Sequence, residues 1–144
     1  MKVMFLVFSL LFGISTASYA DTKSPVPFTL NTTMVLHGID GKALKDPKES
    51  SKDDPACAKC DDLTLRVAAY YALTFSFPDE QNLSGDQKWA RGELATKIMR
   101  NPSVQLTVEE LDLLKKCVGK FWGTEVVTAI YPILDPNAKP PEIK

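Results

Sequence analysis

Apolar residues recur at helical spacing over much of the chain, and the clearest pattern covers residues 106–122. At about 100° per residue, one face of this segment collects six apolar side chains, which are Val108, Leu111, Leu114, Val118, Phe121 and Trp122. Thr107 and Glu110 have the spacing of a capping box, in which each side chain accepts a hydrogen bond from the other residue's backbone N–H. Gly123 follows and suits a helix C-cap. The pattern predicts an amphipathic helix against which the other elements pack.

Two further helices are predicted before this one. Residues 63–77 are apolar and end at Pro78, which favours a buried helix, although Tyr70 and Tyr71 would also suit a strand. Ser84 and Gln87 form a second capping box, and the helix that it begins should run over residues 85–100 and stop at Asn101-Pro102. The predicted apolar positions of this helix are Trp89, Leu94, Ile98 and Met99.

A fourth helix is predicted after residue 123. Thr124 can cap it, and it should bend or end near Pro132. Residues 137–144 contain Pro140 and Pro141 and are predicted to be a flexible tail.

The chain before the helices carries a hairpin signal. Residues 26–36 are rich in Thr, Val, Phe and Leu with partial alternation, and Asp40-Gly41 follows, a dipeptide whose residues adopt positive φ readily. We predict a strand over residues 29–38 and a return strand over 42–44. A lone hairpin is marginal in water, so its apolar side should lie on the helices. The expected fold is a single small α+β domain, mainly helical, with an N-terminal β-hairpin followed by about four packed helices.

The first twenty residues have the pattern of a secretory signal peptide. One lysine precedes an apolar run over residues 3–14, and Ser18 and Ala20 precede an expected cleavage before Asp21. The alternative is a membrane anchor, but the run is shorter than the ~20 apolar residues that a spanning helix needs. The sequence therefore predicts an exported protein, periplasmic or secreted, with no stable membrane span after cleavage. We divide it into the signal peptide (1–20), the hairpin and charged linker (21–60), the helical domain (61–136) and the tail (137–144).

Charge excludes two classes of partner. The formal net charge is −1 at pH 7, with basic and acidic residues mixed along the sequence. Such a balance gives no electrostatic footprint for nucleic acid or for an anionic membrane surface. Another protein is the expected partner.

The three cysteines are the main candidates for chemistry. Cys57 and Cys60 form a CxxC pair, which after export first suggests a disulfide. A thioredoxin-like role is disfavoured because the negative charges of Asp61 and Asp62 would raise the pKa of the thiols. Structural zinc would need two more ligands, and only His37 and Cys117 remain among the soft ligands. Cys117 is either a buried free thiol or a partner of Cys57 or Cys60, and we favour the Cys57–Cys60 pair.

Several of these motifs together resemble a family of small phage and prophage proteins of no established function. The resemblance covers residues 61–120 and the preceding Asp40-Gly41 turn. It rests on Leu63-Thr64-Leu65, on residues 79–85 with Lys88, Arg91, Leu94, Ala95 and Ile98, and on residues 106–110 with Lys115, Gly119 and Lys120. The resemblance implies no catalytic residues, and this chain departs from the family's pattern in its signal peptide and its cysteine pair.

These observations favour an exported, non-enzymatic interaction protein that acts without a cofactor. It could be prophage-encoded and bind another protein in the cell envelope or the extracytoplasmic space. An alternative is a small thiol-redox or metal-dependent enzyme that uses Cys57, Cys60 and His37. A third hypothesis is a carrier in which the aromatic residues of the helix at 63–77 enclose a small apolar ligand.

Overall fold

Four helices make up most of the fold in the computed structural model, which describes residues 28–47, 57 and 59–135. They are α1 (Leu65–Thr74), α2 (Gly85–Arg100), α3 (Val108–Phe121) and α4 (Thr124–Leu134). Two short strands, β1 (Phe28–Asn31) and β2 (Ser103–Leu106), complete the domain. The predicted class, mainly helical α+β, is confirmed. The predicted signal peptide, most of the charged linker and the tail lie outside the described residues.

The sheet differs from the prediction. β1 pairs antiparallel with β2, in a register that places Phe28 opposite Leu106 and Asn31 opposite Ser103. The sequence pattern did not predict a strand over residues 103–106. Val104 and Leu106 are buried while Ser103 and Gln105 are exposed, the alternation of a strand with one buried face. Four residues are too short a pattern to be read as a strand from sequence alone.

The predicted hairpin exists, but it is shorter than expected. Its turn is closed by hydrogen bonds from Gly38 N to Lys42 O and from Leu44 N to Leu36 O, and Gly41 has a φ of +79°. A continuous strand over 29–38 was wrong, because the chain turns at Thr32. The Thr32 hydroxyl is buried and donates to the Asn101 carbonyl at 2.6 Å, which fastens this turn to the end of α2.

Both capping boxes are present, and they fix the starts of α2 and α3. Ser84 and Gln87 exchange hydrogen bonds at α2, and Thr107 and Glu110 do so at α3. The bounds of α2 agree with the prediction. α1 is shorter than predicted, since the backbone is extended again at Phe75. Gly123 is the N-cap residue of α4 rather than the C-cap of α3, and Trp122 takes that place.

The buried face of α3 is centred on Leu114, Cys117 and Val118. Leu111, Phe121 and Trp122 pack partly buried against the same core. Val108 was expected on this face, but 56% of it is exposed. Trp89 was likewise expected in the core from α2 and is 72% exposed. Periodicity gives the direction of a side chain but not where the neighbouring elements end, which is why these two positions were wrong.

Replacing Thr107 with Ala should lower the free energy of unfolding by about 1 kcal/mol, because the Glu110 amide loses its capping acceptor. Thr107→Ser keeps a hydroxyl and is the matched control. Urea titrations of both variants would measure the difference, and equal stabilities would show that the cap is not needed to begin α3.

Candidate functional site

The cysteine pair is built into the fold beside α1. Cys57 and Cys60 form a disulfide, and both are more than nine-tenths buried. The sulfur of Cys57 lies 3.4 Å from the backbone oxygen of Asp46, and the Asp46 carboxylate accepts a hydrogen bond of 2.9 Å from the Tyr71 hydroxyl. Through Asp46 and Tyr71 the disulfide is therefore connected to the middle of α1.

The other soft ligands lie elsewhere. Cys117 is a buried free cysteine in α3, and burial raises the pKa of its thiol. His37 is exposed on the hairpin, where its backbone pairs with that of Ala43 in an isolated antiparallel β-bridge. Within residues 28–47, 57 and 59–135, no three His, Cys, Asp or Glu side chains come together as metal ligands. The cysteine pair also precedes the N-cap of α1, Thr64, and so does not occupy the helix start that activates a redox thiol.

Substituting both Cys57 and Cys60 with Ser should lower the free energy of unfolding by about 1–3 kcal/mol, since the disulfide closes only a small loop. The variant should still fold. Denaturant titration measures the loss, and thiol labelling of the unreduced parent protein should find no fast-reacting sulfur at either position. Rapid thiol exchange that disappears in Cys57→Ser would instead favour the redox hypothesis.

Sequence reasoning missed a buried arginine at the end of α1. The Arg91 guanidinium donates hydrogen bonds to the carbonyl oxygens of Leu73 at 3.0 Å, Ala72 at 3.2 Å and Phe75 at 2.7 Å. Since the last carbonyls of a helix have no partner within it, Arg91 caps α1 from the neighbouring helix. A charged residue in α2 gives no sequence signal for this role.

Arg91 also belongs to an ion-pair cluster that holds the segment after α1. Its guanidinium contacts Glu80 at 2.8 Å, and Lys120 of α3 contacts Glu80 at 2.7 Å and Asp79 at 2.8 Å. The hydrogen bonds from Lys120 lower the pKa of both carboxyl groups, and these carboxylates raise the pKa of Lys120. The charges in this cluster satisfy one another, so the cluster fixes residues 75–80 against α2 and α3.

Six aromatic rings form a connected row over this framework. Neighbouring ring centroids in the aromatic row are 4.9–6.2 Å apart, within the range of favourable ring pairs. In contact order its members are Tyr70, Tyr71, Trp122, Phe121, Phe75 and Phe77. The Trp122 indole donates to the Ala68 carbonyl at 3.0 Å, which ties the row to α1. The row reaches the surface at Tyr70 and Phe75, which are 38% and 46% exposed.

A groove lies between α1 and α2, beside the exposed rings. It consists of two adjacent recesses of about 320 Å³ and 430 Å³, and Thr74 and Gly92 line both of them. Tyr70 borders one recess and Phe75 the other. On the α2 side, the lining includes Lys88, Ala95, Thr96, Met99 and Arg100. We call this feature the α1/α2 groove.

Two residues of α2 give the groove its character. Gly92 leaves its floor without a side chain, and a Cβ placed there would meet nothing within 4 Å. Trp89 precedes Gly92 by about one helical turn, so its exposed indole stands on the same side of α2. Two exposed aromatic side chains, Tyr70 and Phe75, thus border the open floor, and Trp89 lies outside the lining of both recesses. The sequence suggested that the aromatics at 63–77 could line a ligand groove, but not that α2 forms its other wall.

Comparison with protein-family models, curated proteins and solved structures finds no match for this chain. The site is therefore defined by its geometry. In the part of the chain that the structure describes, no helix has the length and apolar character needed to cross a membrane.

Proposed function

We propose that this protein is an exported, non-enzymatic binding module that recognises another protein through the α1/α2 groove and the aromatic row. The observation that carries the proposal is the placement of the exposed rings of Tyr70 and Phe75 along one groove with an open floor. The exposed Trp89 lies about one helical turn before Gly92 in α2. Tyr and Trp supply large contact areas with few rotatable bonds and are enriched among the residues that dominate binding energy. Isolated exposed apolar residues need no explanation, but two exposed aromatic residues along one concave site favour an interface.

The local framework also supports recognition of a partner. Phe75 follows the end of α1, and its carbonyl is held by Arg91 while its ring packs against Phe121 and Phe77. A ring that is fixed before binding loses little conformational entropy when a partner arrives, which improves affinity. The exposed edge of Phe75 is thus pre-organised for contact.

Export is the second part of the proposal. The signal-peptide pattern supports it, and a buried disulfide agrees with an oxidising compartment. Expressed in a bacterium, the protein should be recovered from the periplasm or the medium with Asp21 as its first residue. Mass spectrometry of the purified protein measures this, and an intact Met1 on a cytoplasmic product would contradict export. A prophage origin remains a prediction from the resemblance to phage proteins.

Site-specific photocrosslinking tests the binding function. A photoreactive phenylalanine analogue at position 75 should give a discrete, heavier adduct in cells of the source organism. The same analogue at position 39 is the control, because Ile39 is 76% exposed and lies in the hairpin. Equal adduct patterns at both positions, or no adduct at position 75, would contradict binding at this surface.

A further inference from the structure

We infer that the α1/α2 groove binds an extended acidic peptide segment with apolar side chains at its centre. This inference rests on the proposed binding function and assigns the chemistry of the partner. Its first support is charge. Lys88 and Arg100 line opposite recesses of the groove, and neither makes an ion pair with any residue that the structure describes.

The acidic side chain in the lining of the groove is already paired with cations of the protein. Glu80 is the acidic residue in its lining, and its two carboxylate oxygens are bound to Arg91 and Lys120. Glu93, the residue after Gly92, does not line either recess. An incoming carboxylate would therefore meet unpaired cations at the groove without an unpaired anion in its lining.

The dimensions favour a short extended segment. Lys88 and Arg100 are twelve residues apart on α2, which corresponds to about 18 Å along the helix axis. An extended chain spans that distance with about six residues at ~3.3 Å each. Acidic residues at the two ends of the segment would reach Lys88 and Arg100, and apolar side chains between them would contact Tyr70 and Phe75.

Three fluorescein-labelled peptides test the inference by fluorescence anisotropy with the full exported protein. The first is Glu-Asp-Leu-Phe-Leu-Asp-Glu, the second replaces its acidic residues with Lys, and the third replaces its apolar centre with Ser-Gly-Ser. The first should bind at least about tenfold more tightly than the other two, and its affinity should fall as salt is raised. Equal binding of the first and second peptides would overturn the inference.

Matched variants locate the binding. Lys88→Glu combined with Arg100→Glu should weaken binding of the acidic peptide by at least about tenfold. Lys42→Glu on the hairpin changes the charge by the same amount per residue and should leave the affinity unchanged. Gly92→Leu should block the floor and abolish binding, while Ala90→Leu, on the opposite side of α2, should not. Gly92→Leu also replaces a helix-interior glycine with a better helix former, so we expect the variant to be at least as stable as the parent protein. Loss of peptide binding in such a stable variant would be due to occlusion of the groove and not to unfolding. Full-strength binding by Gly92→Leu would overturn the inference.

The failures of the two proposals are distinguishable. Suppose that position 75 crosslinks to a protein, but the acidic peptide neither binds nor reduces the amount of adduct. The inference then fails while the binding function stands. If neither adduct nor peptide binding is found, both fail. A dimer in sedimentation experiments that Gly92→Leu disrupts would assign the groove to a second copy and overturn the acidic segment.

Discussion

Replacing Arg91 with Met should lower the free energy of unfolding by about 3–5 kcal/mol, the usual cost of removing one partner from a buried ion pair. The substitution preserves much of the apolar volume but removes every hydrogen bond that the guanidinium makes. Three carbonyl oxygens at the end of α1 lose their donor, and Glu80, whose side chain is only 13% exposed, keeps Lys120 as its remaining partner. Without the hydrogen bond from Arg91 to its carbonyl, Phe75 should also be released from its fixed position.

Arg100→Met is the matched control for this experiment. Arg100 is in the same helix, is exposed, and makes no ion pair within the described part of the chain. Its replacement should change stability by about 0.5 kcal/mol or less. Chemical denaturation of the two variants gives the comparison, and a loss below about 1 kcal/mol for Arg91→Met would show that the cluster does not hold the end of α1.

Leu114→Ala should have an effect of similar size, about 2–5 kcal/mol. Leu114 is fully buried in the core cluster, and truncation removes both its transfer free energy and the atoms that fill its site. Val108→Ala is the control on the same helix, since Val108 is more than half exposed, and it should cost about 0.5 kcal/mol or less. Equal losses for the two variants would mean that α3 buries a different face.

Local signals predicted the parts of the fold that local chemistry controls. The capping boxes of Ser84 and Thr107 each involve residues three positions apart, so the starts of α2 and α3 can be read without knowledge of any neighbour. The turn at Gly41 was predictable for the same reason. Elements that depend on distant residues were not. β2 is a strand because β1 pairs with it from more than seventy residues earlier in the chain.

The candidate site depends almost entirely on such distant relations. The aromatic character of α1 was visible in the sequence, but the exposure of Tyr70 and Phe75 depends on where α2 and α3 end beside them. Trp89 was assigned to the core because an apolar residue in a helix is most often buried. Arg91 looks like any surface arginine until its contacts with the end of α1 are known. A groove between two helices has no pattern in either helix alone.

The most direct test is to measure stability and partner binding on the same variant, Phe75→Ser, with Leu114→Ala as the comparison. Protein without the photoreactive analogue should compete for the partner and reduce the amount of adduct. If the exposed ring contacts a partner, the Phe75→Ser variant should lose this competition while costing less stability than Leu114→Ala. The ring is 46% exposed and its loss forfeits only part of its packing, so we expect a cost of about 1–2 kcal/mol. The opposite result, a stability loss as large as that of Leu114→Ala with competition unchanged, would show that Phe75 belongs to the core and would contradict the proposed binding surface.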